Sequence, residues 1–316
     1  MPTLLATNAL GTRVELVLDA PSSPGLVSIG EEAIDEILYW HDRLSLFQPH
    51  SLLSFINREA ASRAVAVDDD VFGLLSLCER VHALSGGAFD PTVRSGGHDD
   101  RERGDDASPG WSSLVELDRE RRTVRLTRHG VRLDLGGIAK GFALDMAADL
   151  LRSHLDCAAL LHAGTSGVVV IGRKPRKIGV RSAGGVSFVT VEDAALCVSS
   201  HRGGRRGDDA AASDPNDGTD IDAGLADRAR ARFSHIVAPD GLREPIGETD
   251  FGAGGETSLV IGRSCAEADA WATALVVLGR RPGAMPTALR SSVYADDRWS
   301  SDGGVEFFQI CGSEAD

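Results

Sequence analysis

The segment Asp134-Leu135-Gly136-Gly137-Ile138-Ala139-Lys140-Gly141 constrains the chain more than any other. Val124 to Leu126 and Val131 to Leu133 precede it and read as strand, while Phe142, Met146, Leu150 and Leu151 follow at helical spacing. Paired glycines at a strand-to-helix join let the backbone approach a ligand, because no side chain stands between. The helix N-terminus offers free N–H groups and a positive dipole end to an anion, and Lys140 adds a full charge. This is a phosphate site in outline, although the P-loop pattern G-x-x-x-x-G-K-[ST] is absent. A tight turn into a core helix fits the same residues.

The rest of the composition narrows the class. A chain of 316 residues with 42% hydrophobic and 25% charged residues has ample material for a core. Its net charge of −14 argues against nucleic acid or an anionic membrane surface as partner, since both need a basic face. An anionic ligand must then be held locally, by a metal, a lysine or helix ends. The 5 cysteines are widely spaced and form no C-x-x-C, so neither a disulfide framework nor a zinc ribbon is indicated. With no signal sequence and no membrane-length apolar run, the expected location is the cytoplasm.

Taken in order, residues 10–18 read as a first strand and residues 28–44 as a helix with Ile29, Ala33, Ile37, Trp40 and Leu44 on one side. Residues 45–51 form a polar turn carrying Phe47, followed by a short helical piece to Asn57. Val65 to Val67 is a short strand, and the helix after Asp68 stops at Gly86-Gly87. Asp90 precedes a proline and is held extended, so its carboxylate either faces a pocket or caps a turn, the turn being favoured. Residues 94–110 read as an exposed loop and residues 114–126 as a hairpin. Residues 158–171 form a strand pair, and residues 187–191 and 195–199 continue the sheet. Residues 202–231, rich in Gly, Asp, Ala and Arg, read as a mobile insertion. Ser258 to Ile261 is a strand, and Ser264 opens a last long helix.

That last helix begins with a capping box, Ser264 to Glu267. Asp269 and Thr273, four residues apart, share one face of it. A carboxylate and a hydroxyl are hard oxygen donors of the kind Mg²⁺ prefers. The same two residues also suit a purely structural role, Asp facing the dipole and Thr bonding back to a carbonyl.

In this order the motifs resemble those of the FAD:protein FMN transferases, the ApbE family. Leu10-Gly11-Thr12 is similar to the family's opening M-G-T, and Ser45 through Ser51 with Asn57 to its S-x-[FY]-x-x-x-S…N segment. Residues 86–93 and 134–145 resemble its two most recognisable motifs. Ser234-His235-Ile236-Val237-Ala238-Pro239 resembles H-I-I-D-P, and residues 268–274 resemble A-D-A-x-x-T-A. The resemblance implies one α+β domain over residues 1–316, with mostly antiparallel sheets packed with helices and a flavin cleft between two halves.

It also implies a Mg²⁺-dependent transfer of FMN from FAD to a Ser or Thr hydroxyl of a client protein, releasing AMP. Leu10, Phe47, Ala88, Phe89, Asp90, Asp134, Lys140 and Val237 would line the FAD site. Asp269, Thr273 and the Gly137 carbonyl would hold the metal, and His235 would assist proton removal. The chain departs from the pattern at Ala238, at Gly164-Thr165-Ser166 and at Ala272, which is acidic in some members. Two alternatives follow: hydrolysis of FAD to FMN and AMP, or a homologue that binds flavin without chemistry.

Overall fold

The structure is a computed structural model that describes residues 1–92, 110–200, 256–300 and 303–307. Its frame is an eight-stranded antiparallel sheet. The strands, numbered in chain order, are β1 (Thr3–Ala9), β2 (Thr12–Leu18), β6 (Ala159–Ala163), β7 (Gly167–Ile171), β10 (Ala195–Ser200), β11 (Thr257–Gly262), β12 (Arg290–Ala295) and β13 (Arg298–Trp299), which neighbour one another in that order. Strands β3 (Val65–Ala66), β5 (Thr123–Leu126) and β4 (Val115–Asp118) make a small second sheet, and β8 (Arg176–Ser182) and β9 (Gly185–Val191) pair as a two-stranded sheet among the described residues. The helices are α1 (Pro24–Leu44), α2 (Leu52–Glu59), α3 (Asp69–Leu84), the single turn α4 (Trp111–Leu114), α5 (Ala139–His154) and α6 (Cys265–Leu278).

The two faces of the large sheet serve different cores. Period-two alternation sends Val14, Leu16 and Leu18 of β2 and Leu161 of β6 to the helical side, where Ile37, Trp40, Leu144 and Trp271 complete the main core. On the opposite face Val170, Leu196, Leu259 and Ile261 pack with Val180, Val189 and Val191 of the β8–β9 hairpin in a second, smaller core. Helix α5 packs on α1 at one side and α6 at the other, and α6 lies across β10 and β11. Trp40 and Phe142 meet edge to face, 4.8 Å between ring centres, where α1 crosses α5. Among the described residues, no helix is long and apolar enough to cross a membrane.

Several elements differ from the sequence expectation, each for a local reason. The first strand is the second one: β1 precedes it, and Leu10-Gly11 form the two-residue hairpin turn, with φ of 56° and 74°. Helix α1 starts earlier than residue 28, because Ser23 caps it and Pro24 occupies the first turn. Strand β9 does not continue the large sheet but folds back on β8, which the sequence reading passed over, as it did β12 and β13. In α5 the buried face combines Leu144 and Leu151 with the small residues Gly141, Ala143, Ala147 and Ala148, while Phe142 and Met146 are only partly covered. The predicted loop at 94–110 lies, apart from Gly110, outside the described residues, and the predicted insertion at 202–231 lies wholly outside them.

Val131 to Leu133 is extended but joins no ladder. A side chain takes the place of a neighbouring strand: Asn57 donates from Nδ2 to the Leu133 carbonyl at 2.9 Å and accepts the Leu133 N–H at 2.7 Å. One residue on, the Asp134 N–H donates to the Pro91 carbonyl at 2.8 Å. Asn57→Ala strands both backbone groups of the fully buried Leu133 and is expected to lower unfolding stability in urea by about 1–3 kcal/mol.

Candidate active site at the meeting of two helix starts

The bend at Gly136-Gly137 delivers the chain into α5 against the first turns of α6. The contact is close because both sides are small. A Cβ on Gly141 would stand 2.4 Å from the Cys265 carbonyl oxygen, and one on Gly137 would stand 3.1 Å from Thr273 Oγ1. Only glycine permits this approach.

The start of α6 is capped more thoroughly than its capping box implies. Ser264 Oγ accepts the Glu267 N–H at 3.1 Å, as expected. The reciprocal half is absent, since the Glu267 carboxylate pairs with Arg80 at 3.0 Å instead. Asp145 of α5 instead satisfies the next two positions, accepting the N–H groups of Cys265 at 2.7 Å and Ala266 at 2.9 Å, and it also accepts the Ser264 hydroxyl at 2.8 Å. Burial pushes the Asp145 carboxyl above the usual range, against these three donors. Sequence reading had no signal for this, because Asp145 and Ser264 are far apart along the chain.

Asp269 lies one turn into α6, with its side chain 4% exposed. Its Oδ2 accepts the Gly141 N–H at 3.2 Å and stands 4.0 Å from Lys140 Nζ. Burial holds its carboxyl above the ordinary range, opposed by the Lys140 ammonium and the Gly141 N–H. Gly141 donates to Asp269 rather than to the Gly137 carbonyl four residues back, and among the described residues no donor reaches that carbonyl. Thr273 spends its hydroxyl proton on the Asp269 carbonyl at 3.1 Å, so its oxygen can act only as an acceptor toward other groups. Lys140 Nζ donates to the Gly136 carbonyl at 3.0 Å, and no described residue accepts the Lys140 backbone N–H.

Carboxylate, hydroxyl and carbonyl oxygens, gathered where one carboxylate is under-neutralised, form a donor set that fits a hard divalent cation. The set contains a single carboxylate, and among the described residues no group of three or more His, Cys, Asp or Glu is gathered as for a metal. Ala272, beside Thr273, is fully buried.

The other predicted site residues fall into three groups. Phe89 is buried with its ring against Gly137: a Cβ there would lie 3.4 Å from Phe89 Cε2. Asp134 Oδ1 accepts the Gly136 N–H at 2.9 Å and so shapes the bend. Ala88 is buried beside Phe89, and Asp90 is in the turn it was expected to cap. Its carboxylate accepts the Thr92 N–H at 2.8 Å, the Thr92 hydroxyl at 2.6 Å and the Trp111 N–H at 3.1 Å, with His82 at 3.6 Å. Leu10 sits in the β1–β2 turn, its N–H donated to His41 Nδ1 at 3.2 Å. Phe47 stands on a serine-braced loop with its surface 92% exposed. His235 and Val237, like Ala238, lie outside the described residues.

Two cysteines also converge here. Cys197 Sγ and Cys265 Sγ lie 3.4 Å apart, both buried and both free thiols, although 68 residues separate them.

The ApbE family model matches residues 10–292, and the chain belongs to that family. A FAD:protein FMN transferase of Rhodobacter capsulatus is 29% identical over 286 residues, covering 84% of this chain and 48% of the relative. Another from Treponema pallidum is 32% identical over 139 residues, 38% of each chain. The chain thus spans less than half the length of the relatives it matches. Among solved structures, the ApbE protein of Thermotoga maritima superposes with a TM-score of 0.70 at 22% identity, covering 93% of this chain and 94% of that one, a likeness of fold.

The raised Asp269 carboxyl has a measurable consequence. The folded protein holds this proton more tightly than the unfolded chain does, so the stabilisation present below the ordinary value of 3.8 is lost as pH rises through the raised folded value. Asp269→Asn keeps an oxygen for the Gly141 N–H and removes the buried charge. In EDTA at pH 7 it is expected to melt at a higher temperature than the wild type, and the gap should close as the pH falls toward 3.8.

Proposed function

We propose that the chain transfers FMN from FAD to a Ser or Thr hydroxyl of a client protein and releases AMP, with Mg²⁺ held by Asp269, Thr273 and the Gly137 carbonyl. The observation that supports this reading is the close approach of the two helix starts: Asp269 accepts the Gly141 N–H and stands 4.0 Å from Lys140 Nζ, and the Gly137 bend packs against Thr273. Phosphoryl transfer asks for little more than such positioning and charge neutralisation. Bound there, Mg²⁺ would neutralise and orient the pyrophosphate.

The chain's own residues account for the rest. Lys140 and its backbone N–H at the start of α5 receive phosphate oxygens, as helix N-termini do. Asp134 keeps the glycine bend in shape beneath them. The exposed ring of Phe47 offers a face for stacking on the flavin, and Leu10, Ala88, Phe89 and Val237 complete the lining. Asp90 acts at one remove, holding the turn that carries Phe89. His235 takes the proton from the attacking hydroxyl. The bond broken joins the two phosphates of FAD, the bond formed joins the FMN phosphorus to the client oxygen, and AMP leaves with its phosphate. The family name of the relatives and the fold support this reading.

Incubation of the full chain with FAD, Mg²⁺ and Ser- or Thr-containing client peptides is expected to give an FMN-sized mass increase matched by AMP. Asp269→Ala should abolish both products, and Lys140→Ala should lower kcat/KM by about 10²-fold or more. AMP without any modified peptide would establish water as the acceptor instead. FAD binding without AMP at any Mg²⁺ concentration would reduce the chain to a flavin-binding protein.

A further inference from the structure

Behind the oxygen cluster, β10 and β11 run antiparallel, and their register sets Ser199 directly opposite Ser258. Both side chains face α6. The fully buried Ser258 donates from Oγ to the Ala272 carbonyl at 2.5 Å, and Ser199 Oγ lies 3.5 Å from Thr273 Oγ1. Two opposed rungs of the sheet therefore grip two consecutive residues of the helix, next to the site.

Hydroxyl accounting shows what this grip can do. The Thr273 proton goes to the Asp269 carbonyl, so toward Ser199 the Thr273 oxygen acts as acceptor, and Ser199 has a proton to give. With those two partners in place, the remaining Thr273 lone pair has a fixed direction. The Ala272 carbonyl sits within the α6 ladder, and Ser258 uses its second lone pair. That bond fixes the depth of the helical turn bearing Thr273 over the sheet. Among the described residues, the Asp269 carboxylate by contrast meets Gly141 and Lys140 and no side chain of the sheet.

We infer that Ser199 and Ser258 are positioning residues for the divalent-cation site: Ser199 aims the Thr273 lone pair, and Ser258 sets the height of the turn that carries it. This rests on the cation reading given above. Neither serine touches the cation or the substrate. Their effect is on ligand geometry, so it falls on metal affinity before it falls on flavin affinity. Partners behind a ligand are typically worth about 10–100-fold in metal affinity.

The test uses Mn²⁺ as the probe, titrated into the full chain with FAD present and followed by the electron paramagnetic resonance signal of free Mn²⁺. Ser199→Ala is expected to weaken Mn²⁺ binding by about 10–100-fold while leaving FAD affinity in EDTA and the metal-free melting temperature unchanged. Ser199→Thr, which restores a hydroxyl, should recover most of that loss. Ser258→Ala should weaken Mn²⁺ in the same direction and also lower the melting temperature, and Ser199→Ala carries the test alone if Ser258→Ala does not fold. Ser199→Ala binding Mn²⁺ as tightly as the wild type, while Asp269→Ala binds none, would overturn the inference and leave the cation reading standing. A wild-type chain that binds no Mn²⁺ with FAD present would overturn both.

Discussion

A buried carboxylate facing a backbone N–H joins the two halves of the sequence that matter here. Asp269 accepts from Gly141, and nearly every other feature of the site follows from that bond. It requires α5 and α6 to touch, hence glycine at 141 and the run of small residues in both helices. It draws the Gly141 N–H away from the Gly137 carbonyl four residues back, which no donor among the described residues reaches. It also buries a carboxyl whose proton burial holds on to, with Lys140 Nζ 4.0 Å away opposing that shift.

The sheet is what makes the contact reproducible. Helix α6 lies across β10 and β11 and cannot shift along them without breaking the Ser258 bond to its backbone. Helix α5 is tied to the start of α6 by Asp145 and to α1 by the Trp40–Phe142 contact. The strand-like approach to the bend is fixed by Asn57 on one side and Pro91 on the other. Each restraint comes from a different part of the chain, so the glycine bend and the start of α6 are positioned by elements that fold for other reasons.

How much of this could be read from the sequence varied with the range of the interaction. Local signals were legible: the Ser264 cap, the glycine stop after α3, the hairpin of β4 and β5, and the DLGGIAKG bend into a helix. Asp269 and Thr273 were legible as a pair because helical spacing places them on one face. What escaped was pairing across long stretches. The β8–β9 hairpin has the same alternation as the strands of the large sheet, and nothing in that alternation says which neighbour a strand will choose. The buried face of α5 escaped for another reason. Periodicity arguments weigh large side chains such as Phe142 and Met146, whereas close helix packing is built from Gly141, Ala143 and Ala147. Ser199 and Ser258 carry no motif, and only their strand register brings them together under α6.

The Asp145 cap settles how the two helix starts divide their labour. Its carboxylate consumes the first two N–H groups of α6, and Ser264 takes the third, so the positive end of that helix is discharged internally. The neighbouring helix keeps an unclaimed N–H beside its lysine. Of two parallel-looking entrances, then, one is sealed as masonry and the other left open as a doorway. Among the described residues, the donor still on offer at these two helix starts is the one just past the glycine bend.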